Sequence, residues 1–117
     1  MPFKFEKLIV WQEAIQLGED LHAITRKFPK DELFNLTSQT MRAVDSIALN
    51  ISEGSVGQSN AENGRFIGYA IRSCCEIITC LYKALNRKYI TQEEFNTKYN
   101  QAEILFKRLN KYRSSLD

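Results

Sequence analysis

Proline occurs only twice in this chain, at Pro2 and Pro29, and glycine only five times. Proline lacks the N–H that a helix interior needs, and glycine carries a large entropic cost there, so few positions forbid long helices. Apolar spacing then decides where helices form. Between about residues 6 and 28, Leu8, Trp11, Ile15, Leu21 and Ile24 recur at helical spacing, and Phe28 before Pro29 is pushed out of the α region. A second helix is expected over about 31–53, with Asp31 as N-cap, an apolar stripe of Leu33, Leu36, Thr40, Val44, Ile47 and Ile51, and Gly54 and Gly57 as breakers. Ser59-Asn60-Ala61-Glu62 has the spacing of a capping box and opens a third helix over about 60–88. Thr91-Gln92-Glu93-Glu94 repeats the device and opens a fourth over about 92–114, through Phe95, Tyr99, Ala102, Leu105, Leu109 and Tyr112.

Helices of roughly 22 to 28 residues joined by links of about 3 to 6 must lie antiparallel to their chain neighbours. The expected fold is all-α, an antiparallel up-down-up-down four-helix bundle occupying residues 1–117 as one domain. With 44% hydrophobic and 26% charged residues, a chain of this length supports one globular core and is not disordered. No run approaches the 18 or so uncharged apolar residues of a membrane span, and the start, MPFKFEKL, mixes acid and base where a secretory signal is apolar. The expectation is a cytoplasmic protein with no membrane partner. Cys74, Cys75 and Cys80, an odd number, read as reduced core residues.

Two faces promise more than a core. On a wheel at 100° per residue the apolar positions of helix three cover about 240°, against the 100–140° or so that an outer helix needs. The surplus is a row of Ile67, Ile71, Cys75, Ile78 and Tyr82, expected to meet another subunit. Its remaining arc is narrow and polar: Arg65, Gly68, Arg72, Glu76, Thr79 and Lys83, with Arg72 and Glu76 spaced to pair. On helix two, Gln39, Arg42, Ser46, Asn50 and Glu53 form one polar line beside the apolar stripe. Ser46 and Asn50 are poor helix formers at mid-helix, which suggests partners across an interface that fix register.

Catalytic and metal chemistry finds little to stand on. Glu19-Asp20-Leu21-His22 has the Glu-x-x-His spacing of di-iron bundles, but that site needs two such motifs, and His22 is the only histidine. The cysteines lack C-x-x-C pairs, and consecutive helical cysteines point about 100° apart. One histidine cannot fill every role of a nucleophile–base system, and Gly54-x-x-Gly57 is not a phosphate loop. No enzyme activity, cofactor, metal or small-molecule substrate is expected.

Phe5, Leu8, Val10 and Trp11 near the start, the stretch from Gln39 to Gly54 ending Asn50-Ile51-Ser52-Glu53-Gly54, Arg65-Phe66, and Ser73-x-x-Glu76 come in an order that resembles the four-helix-bundle proteins of the 23S rRNA intervening-sequence family, over about residues 3 to 113. The resemblance implies a small bacterial bundle that assembles as a ring-like homopentamer. It also implies kinship with the accessory variability determinant of diversity-generating retroelements, which binds nucleic acid. Members often carry basic residues between helices two and three, whereas Ser55-Val56-Gly57-Gln58-Ser59 carries none.

The net charge is only +2, but it is uneven: six Lys/Arg against nine Asp/Glu over residues 1–64, and ten against five over 65–117. Lys83, Arg87 and Lys88 on helix three and Lys107, Arg108, Lys111 and Arg113 on helix four are the candidate contacts to RNA or DNA. They lie at opposite ends of the helix pair, so a homo-oligomer would be needed to repeat them as a belt. The alternative function is a protein-interaction scaffold without nucleic acid, with Met1-Pro2-Phe3-Lys4-Phe5 free to dock onto a neighbour.

Overall fold

The computed structural model describes every residue, Met1–Asp117. Its long helices are α1 (Ile9–Thr25), α2 (Ser38–Ser55), α3 (Asn60–Asn86) and α4 (Gln92–Ser114), with no strand. They pack into a bundle of 43 × 23 × 22 Å. Side-chain meetings fix the directions. Ser46 of α2 touches Ser73 of α3, while Gly54 of α2 faces Asn63 and Phe66. Tyr82 of α3 meets Phe95 of α4, while Gly68 lies under Arg113. Glu13 of α1 pairs with Arg108 of α4, and Gln101 donates to Asp20. Each of these neighbours is therefore antiparallel, as expected. One cluster of 24 buried apolar side chains fills the centre, with Leu17, Leu21, Ile47, Ile51, Ile67, Ile77, Leu105 and Leu109 essentially dry. Each such side chain contributes about 1.5–3 kcal/mol relative to exposure. No helix is long and apolar enough to cross a membrane.

Part of the wide apolar arc of α3 is covered inside the chain, because α3 packs against both α2 and α4. Ile67 is wholly buried, Ile71 and Ile78 pack half-buried on the core, and the Tyr82 ring meets Phe95 at 4.9 Å. Cys75 is exposed at the edge of a groove that Ile78, Tyr99 and Phe106 line. The row is thus covered only in part within the chain: Ile67 is fully buried, while Cys75 and Tyr82 stay exposed. Cys74 is buried, which together with the neighbouring Cys75 raises its thiol to about 12 and leaves it inert.

Helix one is shorter than its periodicity suggests. Lys4–Lys7 form a separate 3₁₀ turn, held where Phe3 N–H donates to Glu6 Oε1 at 3.0 Å, and Leu8 is extended. Phe3 stacks on Phe5, whose ring meets Trp11 of α1 at a tilt, so the segment lies against the bundle's own end. The start of helix two is also displaced. Lys30–Glu32 make a 3₁₀ turn, Leu33–Thr37 a π turn broken at Asn35 (φ −128°, ψ −105°), and α2 proper begins at Ser38. The cap is Glu32 and not Asp31: its carboxylate accepts from Leu36 N–H at 3.3 Å and Asn35 Nδ2 at 3.0 Å. It also accepts from Tyr89 Oη at 2.7 Å and Arg87 Nη1 at 3.0 Å, joining the α1–α2 link to the α3–α4 link.

Of the two capping boxes, Thr91 and Glu94 complete theirs in both directions, at 3.0 and 2.9 Å. Ser59 makes only its half, accepting from Glu62 N–H at 3.1 Å. Helix α3 ends at Asn86 in a Schellman turn: Lys88 N–H donates to Leu85 O, Tyr89 N–H donates to Ala84 O, and Lys88 takes the left-handed conformation (φ 63°). That turn delivers Arg87 and Tyr89 to Glu32.

Candidate nucleic-acid interface

The geometry sorts the basic residues by what lies opposite them. Arg87 is committed to Glu32 at 3.0 Å, and Arg108 to Glu13 at 2.5 Å. Lys107 reaches Glu103, one turn back, at 3.8 Å. These three are therefore already engaged. Lys83, Lys88, Lys111 and Arg113 form no ion pair, and the first two sit at the opposite end of the α3–α4 pair from the last two.

The polar line of α2 turns inward where it looked unusual. Ser46 shares a hydroxyl hydrogen bond with the buried Ser73 of α3 and donates to Ala43 O at 2.8 Å; Asn50 Nδ2 donates to Ser46 O at 2.8 Å. The mid-helix serine thus has a partner across the bundle in Ser73, and the asparagine has one in the backbone of its own helix. Gln39 donates weakly to Asn35 Oδ1 at 3.4 Å. Arg42, Glu53, Arg72 and Glu76 are exposed and unpaired, and the Arg72–Glu76 pair allowed by spacing does not form. Gly54 shows what the Asn50–Gly54 stretch does: a Cβ there would sit 2.5 Å from Asn63 Oδ1 and 3.0 Å from Phe66 Cβ, so only glycine lets α2 and α3 close.

A group of unpaired arginines lies where α3 and the end of α4 meet. Arg65, Gly68, Tyr69, Ile71, Arg72 and Arg113 line an open cleft of about 380 Å³ that contains three guanidinium groups and no carboxylate. Arg65 and Arg72 lie two helical turns apart on one stripe of α3, with Gly68 between them. The Arg113 guanidinium crosses from α4 and rests on Gly68, within 3.1–3.4 Å of where a Cβ would stand. Packing of Leu109 into the core and a 3.4 Å hydrogen bond from Asn63 Nδ2 to Tyr112 Oη hold that end of α4 in place. Arg65 lies over the Phe66 ring at 5.6 Å, and Phe66 meets Tyr69 edge-on at 5.7 Å. An adjoining hollow of about 420 Å³ shares Arg65 and Arg113, with Asn60, Gly64 and Asp117 on its walls.

Guanidinium groups stay charged at any physiological pH and present forked donors without an acceptor. Three of them without ion pairs, with the nearest carboxylate among the pocket linings being Asp117 of the adjoining hollow, form a positive site suited to phosphate oxygens that accept bidentate hydrogen bonds. Sequence reasoning placed Arg65, Gly68 and Arg72 on one arc and chose Arg113 separately; it missed that they converge. The signal was the arginine–glycine–arginine stripe, but its meaning needed the register of α4. No three His, Cys, Asp or Glu side chains gather as they would around a metal ion. His22 is occupied with Asp45 at 2.9 Å.

Comparison with known proteins agrees with this architecture. A solved structure from Bacteroides thetaiotaomicron, described as a protein of unknown function from the S23 ribosomal protein family, superposes with a TM-score of 0.83 at 21% identity, covering 90% of this chain and 98% of that one. No curated protein matches the chain. The profile of the family described as 23S rRNA-intervening sequence protein matches residues 6–111. The chain belongs to the 23S rRNA-intervening sequence protein family.

Proposed function

We propose that this chain is a non-enzymatic, self-associating protein that binds RNA or DNA by gripping backbone phosphates with Arg65, Arg72 and Arg113. The observation that carries the reading is the carboxylate-free cleft around Gly68, where three unpaired guanidinium groups converge. Lys111, also unpaired, lies half a turn from Arg113 on the other side of α4 and outside the cleft. Arg87 and Arg108, committed to carboxylates, leave the set of contacts.

Self-association rests on a different surface. Arg42 and Glu53 of α2 and Glu76 of α3 are exposed without ion partners, and Leu49, between the first two in sequence, is 64% exposed. A face of unpaired opposite charges around an apolar residue suits a second copy carrying the same face. The ring of five implied by the sequence resemblance is its specific form, and it would repeat the arginine cleft around a rim.

The test is equilibrium binding of a structured RNA and of a DNA duplex at about 50 and 200 mM salt, with molar mass read by light scattering. Tight binding that weakens steeply with salt, by a particle larger than a dimer, supports the proposal. Absence of salt-sensitive binding to both nucleic acids overturns it. A stoichiometric protein partner in their place would restore the scaffold reading.

A further inference from the structure

We infer that the arginine cleft takes an unpaired nucleotide, its phosphate between the guanidinium groups and its base against Tyr69. This rests on the nucleic-acid reading above and adds to it the kind of strand recognised. A site that only counted phosphates would need no apolar wall, yet Tyr69 and Ile71 line the cleft beside the arginines. Tyr69 remains 39% exposed, although the edge-on Phe66 at 5.7 Å braces its ring. Arg65 is steadied over that same Phe66, so two of the elements that would touch a nucleotide are positioned by one aromatic side chain. The cleft's volume of about 380 Å³ falls within the roughly 300–1,000 Å³ of small-molecule sites, room for one nucleotide unit. The adjoining hollow shares Arg65 and Arg113, which gives the next unit of a strand a continuous path.

The strand must be unpaired because a duplex keeps its bases stacked in its own interior. Such a duplex offers a notch of this size only phosphate and sugar, and leaves the tyrosine idle. A splayed base has a free π-face, and stacking on an aromatic side chain is tolerant of base identity. Phosphate between arginines and a base on tyrosine would thus give a strand-selective but sequence-tolerant grip.

The experiment compares a fluorescently labelled 12-nucleotide single-stranded RNA with the blunt duplex of the same sequence, by anisotropy at one fixed salt concentration. The full chain is used with Tyr69→Ala, Tyr69→Leu, Tyr69→Phe and an Arg65→Gln/Arg113→Gln pair, each checked by circular dichroism. The single strand is expected to bind about tenfold more tightly than the duplex. Tyr69→Ala and Tyr69→Leu should remove about that factor for the single strand alone, while Tyr69→Phe keeps it. Equal affinity for the two nucleic acids, or an unchanged single-strand affinity in Tyr69→Leu, overturns the inference. In that outcome a loss of affinity in the arginine pair would leave the phosphate-binding proposal standing. No effect of the arginine pair would sink both.

Discussion

Arg87 and Arg113 occupy equivalent places, each near the C-terminus of a long helix where a cation complements the helix dipole. Their surroundings differ completely. Arg87 faces the mostly buried Glu32, which also accepts from Tyr89 Oη, Asn35 and the Leu36 N–H, so its charge is used to tie two links together. Arg113 faces Gly68 and two further arginines, with no carboxylate in the cleft they share. Position on a helix therefore decides little about a surface cation. The group opposite decides whether it is part of the fold or available to a ligand.

The sharpest way to break this comparison is to remove cations at each end. Arg65→Gln with Arg113→Gln should reduce affinity for single-stranded RNA about 100-fold, roughly tenfold for each charge-assisted contact, with the thermal midpoint nearly unchanged. Arg87→Gln should do the reverse, leaving affinity alone and lowering Tm by about 5 °C. Parallel titrations and melts of both variants check the pair; a binding defect in Arg87→Gln equal to that of the arginine pair would contradict it.

Gly54 and Gly68 sharpen the contrast next. Gly54→Ala pushes a Cβ against Asn63 and the Phe66 Cβ, where packed helices cannot yield easily, and should cost about 1–3 kcal/mol in urea unfolding. Gly68→Ala meets only the end of the flexible Arg113 side chain. It should gain up to about 1 kcal/mol of helix propensity while weakening RNA binding about two- to threefold.

The Glu32 network should also show in acid. The Tyr89 hydroxyl, with Leu36 N–H, Arg87 and Asn35, outweighs burial and holds the Glu32 carboxyl below its ordinary value of 4.5. A folded-state value that is lowered means the network's contribution is fully present above about pH 4.5 and is lost as pH falls through the lower value. The same hydrogen bond raises Tyr89 above its ordinary 10.0, so a further loss follows as pH climbs past that point. Melts from pH 7 to 3 should fall more steeply for the native chain than for Glu32→Gln; equal slopes would contradict the network's role. The smallest expected effect is at Lys88, where glycine would relieve the left-handed backbone. Lys88→Gly should stabilise by about 0.5–1 kcal/mol without touching RNA affinity.

Much of this was legible in the amino-acid order. Period and punctuation placed four helices, and Thr91 with Glu94 made its cap as written. What could not be read was anything requiring two helices at once. The arc of Ile67, Ile71 and Ile78 looked surplus because a wheel shows one helix, and α4 covers much of it. Ser46 looked in need of an outside partner because Ser73 lies 27 residues away in sequence. Asp31 looked like the cap because the hold of Arg87 and Tyr89 on Glu32 is a long-range effect. The cleft follows the same rule: Arg65, Gly68 and Arg72 shared a visible stripe, and only the register of α4 set Arg113 upon it.

The most direct measurement is the slope of log affinity against log salt for single-stranded RNA, taken with the native chain and with Arg65, Arg72 and Arg113 all changed to glutamine. Each lost phosphate contact should remove about 0.7 from the slope, so the triple variant should be shallower by about 2. A triple variant with the native slope would show that phosphates are held elsewhere and contradict the assignment of this cleft.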